Sequence, residues 1–169
     1  KKIFTIHNGI AAPNLSSQND ARKAILSALQ NLSEKSRKFL ENPSTRWIGS
    51  IGELHPNKGY PYALYAINNL VVSFPNIAYI IIGDGEQRKH IESYIDDESL
   101  RGHIFLAGHI EQAGKHVHAF DIFLLPSIKE GLPYVLLESA HAQVPTIATS
   151  VGGIPEIIQH KNSGALARP

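Results

Sequence analysis

The 169-residue chain has no cysteine, no methionine and a single tryptophan. Without thiols it can form neither disulfides nor thiolate metal centres, which fits a reducing compartment. Neither charge sign is in excess. Sixteen Lys and Arg stand against fifteen Asp and Glu, a net charge of +1, so there is no electrostatic footprint for nucleic acid or for a membrane surface. Long apolar runs are missing too: stretches such as Ile77–Ile82 are far too short to span a bilayer, and no signal peptide is visible. What remains is an ordinary globular composition, 43% hydrophobic and 18% charged, enough for one domain with a real core. The ends, Lys1-Lys2 and Arg168-Pro169, together with the lack of methionine, read as a piece of a longer protein. A function that needs a partner domain is then expected to be incomplete in this piece.

The hydrophobic pattern alternates strand-like and helix-like runs. Thr5 to Gly9 reads as an extended segment turning at Asn-Gly, and 14–20 as a polar loop. Ile25, Leu26, Leu29, Leu32 and Phe39 suit one amphipathic helix from Ala21 to about Leu40, broken by Asn42-Pro43-Ser44. Arg46 to Gly52 is the first clear strand. A Pro/Asn/Lys/Gly loop follows, then a helix with Pro61 near its start and Ala63, Ile67, Leu70, Val71 and Phe74 on one side. Strands are expected at Ala78–Ile82, His103–Leu106, Ile122–Leu125 and Val144–Ala148. Helices are expected from about Glu86 to Asp97, over Gln112–Ala119, from about Pro133 to Ala142, and from Ile154. Near-continuous apolar strands alternating with helices predict a parallel sheet covered on both faces, a doubly wound α/β (Rossmann-like) domain.

In such sheets ligands bind beyond the carboxyl ends of the strands. Glycines cluster at those expected ends: Gly49 and Gly52, Gly83 and Gly85, Gly108, Gly131, and Gly152-Gly153. Any one glycine is what a strand-to-helix loop needs anyway, and the argument for a ligand rests on several along one edge. The standard nucleotide fingerprints fail. Gly52 to Gly59 lacks the G-x-x-x-x-G-K-[ST] pattern, and Gly83-Asp84-Gly85 is followed by Arg88 where G-x-G-x-x-G needs its third glycine. Lys58, in a strand-to-helix loop, is a candidate anion partner. The nine histidines show no zinc spacing, and His116 and His118 would point about 200° apart on a helix. Ser127 and Ser139 have no nucleophile-elbow context, so metal and serine-hydrolase chemistry are not expected.

The most informative stretch is Glu130-Gly131-Leu132-Pro133 leading into a helix that carries Glu138. A carboxylate accepts hydrogen bonds from vicinal hydroxyls, as on a sugar or ribose, and the helix start attracts a diphosphate. Glu130 and Glu138 need not touch and could address opposite ends of one ligand. On the bland reading Glu130 is a first-turn dipole residue and Glu138 a surface residue. The apolar neighbours Leu136, Leu137 and Ala140 count against that for Glu138.

Taken together, Ile51-Gly52-x-Leu54 through Lys58-Gly59, Ile82-Gly83-Asp84-Gly85, Ile104 to Gly108, Leu125-Pro126-Ser127-x-x-Glu130-Gly131-Leu132-Pro133, Leu137-Glu138-Ser139-Ala140, Pro145-x-Ile147-Ala148-Thr149, Gly152-Gly153-x-Pro155-Glu156 and Asn162-Ser163-Gly164 resemble family-four retaining glycosyltransferases, the glycosyl transferases group 1. The resemblance covers most of residues 45–168. It implies the C-terminal, nucleotide-sugar (donor) binding half of a two-domain GT-B fold. Residues 1–15 would be an interdomain linker, with Ile6 to Ile10 leaving the N-terminal domain, and 16–169 the donor domain, truncated at its C-terminus. By position, Glu130 would hydrogen-bond the donor hexose, and Gly131, Leu132 and Pro133 would lie along sugar and phosphates. Glu138 would take the ribose hydroxyls and Lys58 the diphosphate. Gly52, Glu53, Gly83 and Gly85 would line the donor, and Gly108-His109 the base.

The implied reaction transfers a hexose from a nucleoside-diphosphate sugar to an acceptor hydroxyl with retention. It needs no cofactor and no metal, and the nucleoside diphosphate serves as substrate. The acceptor, a sugar, lipid or polysaccharide, would be held by the N-terminal domain. The whole enzyme would be cytoplasmic, peripherally associated with the inner face of the membrane. The isolated piece would be inactive. Two positions depart from the family pattern: Glu53 stands where an arginine is usual, and Gln143 where a glycine is usual. Alternatives are a GT-B sugar-nucleotide epimerase, a phosphorylase, and a degenerate non-catalytic binding domain. The first two lack their expected residue patterns here, and the third draws its support from Glu53.

Overall fold

The computed structural model describes residues 8–97 and 100–169. Six strands form one all-parallel sheet: β1 (Arg46–Ile51), β2 (Ile77–Ile82), β3 (Ile104–Gly108), β4 (Ile122–Leu125), β5 (Thr146–Thr149) and β6 (Ala165–Ala167). Their order is β3-β2-β1-β4-β5-β6. The chain winds outward in one direction from β1 to β3, then crosses back to β4 and winds the other way. The sequence-order reversal falls between β1 and β4, and a crevice opens beyond their carboxyl ends. Asp121 fixes this junction, accepting the Trp47 N–H at 2.7 Å and an Arg22 guanidinium hydrogen bond at 2.8 Å.

Side chains of successive strand residues face opposite sides, and along β1 and β2 both sides are buried. Ala78, Ile80 and Ile82 join Trp47, Phe123 and Leu125 under α1 (Gln18–Ala28), a 3-10 turn over Ala113–Ala119, and α5 (Tyr134–His141). Tyr79 and Ile81 face the other way, against Leu64 and Ile67 of α3 (Tyr60–Ser73) and Ile91 and Ile95 of α4 (Arg88–Asp97). This two-sided burial is why β2 is apolar at every position.

Several expectations are corrected. The single helix over 21–40 is two, α1 and α2 (Glu34–Glu41). Leu29 is extended, Asn31 takes a left-handed φ of 56°, and Ser33 accepts the Ser36 N–H at 3.0 Å as a new N-cap. Ser and Asn side chains compete for backbone bonds, which outweighs the apolar periodicity here. On α3 the apolar stripe is shorter than expected, with Leu70 and Phe74 exposed. Gly49 lies inside β1, not at a ligand edge, because the Phe120 ring occupies the place of a Cβ. β6 escaped sequence detection: three residues carry no period. Thr5 to His7 fall outside the described residues. Among the described residues no helix is long and apolar enough to cross a membrane.

Candidate functional site

Three loops at the carboxyl edge of the sheet build the site. The β1 loop passes through a 3-10 turn at Pro56–Lys58, in which His55 Nδ1 accepts the Asn57 N–H. Gly59 then turns with φ 64°, and a Cβ there would sit 2.1 Å from the Pro126 carbonyl oxygen. No larger residue lets this turn close on the β4 loop. The contact is reinforced by the Asn57 carbonyl, which accepts the N–H groups of Ile128 at 2.8 Å and Lys129 at 3.3 Å.

That clamp brings Lys58 to Glu130, residues distant in sequence. Lys58 Nζ lies 2.6 Å from Glu130 Oε1, and Ser127 Oγ donates to the same oxygen at 2.7 Å. The Glu130 side chain is 10% exposed and that of Lys58 25%, so the ion pair sits at the rim of solvent. The third loop, after β5, supports the second from behind. Thr149 Oγ1 donates to the Ser127 carbonyl, and the Gly153 N–H to the Gly131 carbonyl at 2.7 Å. Gly152, φ 53°, packs with its Cα against the Glu130 carbonyl, where a Cβ would fall within 2.0 Å.

Beyond Glu130, α5 starts at Tyr134 behind Pro133, with no side chain capping its first N–H groups. This leaves the positive end of α5 without a side-chain partner, on the same loop as Glu130. A Cβ on Gly131 would meet no protein atom within 4 Å, so the fold does not require glycine there. Glu138, one turn into α5, packs its carboxylate against Gly114 of the 3-10 turn, where a Cβ would lie 2.3 Å from Oε1. Half-buried and without a hydrogen-bond partner among the described residues, its carboxyl is pushed up from the ordinary range by desolvation. The two carboxylates are therefore in different states: Glu130 is paired, Glu138 is not.

The clefts are contiguous. One of about 540 Å³ is lined by Lys58, Lys129, Glu130, Gly131 and Glu53. Glu53 also lines the next, about 420 Å³, with Gly52, Gly83 and His109. Asp84 and His109 carry over into the largest, about 840 Å³, at the β3 edge beside Gly108. There Arg88 is already paired with Asp84 and Glu92. The groove thus runs along the strand ends from Lys58 to Gly108, and Glu53 is exposed at its centre. Gly85 packs on the Leu54 backbone as a support for this edge.

A groove at the reversal point, a cation beside a carboxylate and an open helix start can be compared with known proteins. The sequence pattern of the glycosyl transferases group 1 family matches residues 16–169. The chain belongs to that family. It is 33% identical over 128 residues to the amylovoran biosynthesis glycosyltransferase AmsK of Erwinia amylovora, an alignment covering 71% of this chain and 31% of AmsK. The chain spans about a third of the length of the curated relatives it matches. Its fold resembles the C-terminal domain of the group 1 protein LpcC from Francisella tularensis, with TM-score 0.68, 26% identity, and coverage of 83% of this chain and 75% of that one. It also resembles Anabaena Alr3699/HepE solved with UDP, with TM-score 0.79, 20% identity, and coverage of 97% and 43%. The sheet is thus that of a Rossmann-like GT-B C-terminal domain.

Of the residues singled out in the sequence, the fold joins Lys58, Glu130, Gly131 and Glu53 around one cleft, and Gly52, Gly83 and His109 around its neighbour. Leu132 and Pro133 lead into α5, and Glu138 stands apart against Gly114. Four residues make contacts that the sequence does not show. Asn57 acts through its backbone carbonyl and Thr149 through a hydroxyl that donates to a carbonyl distant in sequence, contacts that leave no motif, and Gly114 matters only for the space it leaves. Ser127 stands in the family-like Pro126-Ser127-x-x-Glu130 block without a role of its own there, and its offset of three from Glu130 is a local hydrogen-bonding distance.

Proposed function

We propose that this chain is the donor-binding half of a family-four retaining glycosyltransferase, which moves a hexose from a nucleoside-diphosphate sugar to an acceptor hydroxyl. The observation that carries the reading is the convergence of Lys58 and Glu130 beside the uncapped start of α5. On this reading Lys58 and the helix N–H groups neutralise the diphosphate, and their preorganised charge stabilises the leaving group as its bond to the anomeric carbon breaks. The acceptor oxygen bonds to that carbon on the same face, and its proton passes to a departing phosphate oxygen. Glu130 accepts hydroxyl hydrogen bonds from the hexose, Glu138 those of the ribose, and the Gly108-His109 end receives the base. The UDP held by HepE supports a nucleoside diphosphate as ligand. Lys58 and the helix start need no metal or cofactor beside them.

The acceptor, whether sugar, lipid or polysaccharide, falls to a second domain preceding residues 1–15. The whole enzyme works in the cytoplasm, at the inner membrane face. The isolated chain transfers nothing, because its cleft has one wall. Lys58→Ala or Glu130→Ala in the whole enzyme is expected to abolish transfer while leaving the fold intact. Full activity in either variant, read by product analysis, would sink the assignment. Glu53 favours a second reading, a binding domain without catalysis. A carboxylate about 4 Å from a phosphate repels it by roughly 1 kcal/mol in water and more when partly buried. Thermal shift with UDP, GDP, ADP and their glucose conjugates tests donor binding itself: no stabilisation by any of the six would remove it.

A further inference from the structure

We infer that Ser127 is a positioning residue for Glu130, holding its carboxylate in the orientation that turns the free oxygen to the donor sugar. The inference rests on the donor-site reading above. Ser127 is fully buried, so its hydroxyl is not placed to attack a ligand. Its Oγ donates to Glu130 Oε1 at 2.7 Å, and Lys58 Nζ reaches the same atom at 2.6 Å. Oε2 accepts nothing among the described residues and is the oxygen left for a hydroxyl.

The two donors are not equivalent. Lys58 ends a long, flexible stem, and on the reading above it is drawn to the diphosphate when donor arrives. Ser127 sits one residue beyond Pro126 at the end of β4, and its carbonyl is held by Thr149 of β5. The last torsion of a glutamate is broad and roughly two-fold, so a carboxylate released by Lys58 would turn freely. Ser127 is the one hydrogen-bond donor among the described residues that keeps it oriented in the bound state.

The test is a titration of this chain with UDP and UDP-glucose, or with the GDP or ADP pair if the unaltered chain binds that pair more tightly. Ser127→Ala is expected to weaken the sugar nucleotide about tenfold, the scale of one hydrogen bond to a charged group. The free nucleoside diphosphate should change less than about twofold, because Lys58 and the helix start are untouched. Adding Ser127→Ala to Glu130→Ala should change the ratio of the two affinities no further, and Ser127→Thr should restore the unaltered ratio. Equal weakening of both ligands, or an effect that adds to that of Glu130→Ala, would overturn the inference and make Ser127 merely structural. If the unaltered chain binds no pair, the donor-site reading fails instead, and the inference falls with it.

Discussion

At the scale of single residues, the site separates two carboxylates by their surroundings. Glu130 holds Lys58 and Ser127 on one oxygen, so on the proposed donor-site reading its negative charge would compete with a diphosphate for Lys58. Glu130→Gln is therefore expected to tighten UDP binding several-fold, while binding of UDP-glucose gains less because the sugar loses its carboxylate partner. Isothermal titration of both ligands checks this, and weaker UDP binding in the variant would contradict it. Glu138 has the opposite problem. Its folded carboxyl titrates above the ordinary range because burial disfavours its charge, so between the two pKa values the folded chain holds more protons than the unfolded one. Stability then falls as pH rises through that window. Glu138→Gln should raise the melting temperature at pH 7 and lose that advantage toward pH 4, as scanning calorimetry across pH would reveal.

At the scale of elements, the turn between α5 and β5 carries an avoidable strain. Gln143 follows the C-cap Ala142, is exposed, and adopts a left-handed φ of 56°. A residue with a Cβ costs about 1 kcal/mol more than glycine in that conformation. The glycine of the family pattern has a physical reason here, and the chain tolerates glutamine at a cost. Gln143→Gly is expected to stabilise by about 1 kcal/mol, a rise of about 2–4 °C in Tm for a domain of this size. A loss of stability on thermal unfolding would show that the glutamine side chain contributes something else. The helix broken at Asn31 and Ser33 shows the reverse limit. Apolar periodicity continued across 29–32, but local backbone bonding by short polar side chains ended the helix.

At the largest scale, the groove from Lys58 to Gly108 spans the carboxyl ends of β1, β2 and β3 and the loop after β4. A ligand occupying it stabilises the folded chain by mass action. A nucleotide sugar present at about a hundred times its Kd adds about 2.7 kcal/mol of stability, and so about 5–10 °C in Tm. A shift that appears with UDP-glucose in unaltered chain and collapses in Lys58→Ala would tie this stabilisation to the diphosphate end. An equal shift in both would place the ligand elsewhere.

The parallel doubly wound sheet is legible from the residues alone, because two-sided burial requires strands apolar at nearly every position, and β2 is such a strand. So are the loop carrying Glu130 and the helix carrying Glu138, since glycine, proline and the apolar run mark them locally. The residues alone do not show that Lys58 and Glu130 share an atom-to-atom contact, that Gly49 serves Phe120, or that Gly114 makes room for Glu138. Those facts depend on where separate loops meet in space. The Asn57 carbonyl and the left-handed turn at Gly59 decided the first, by closing the β1 loop on the β4 loop, and the other two follow from the packing of Phe120 on β1 and of α5 on the 3-10 turn.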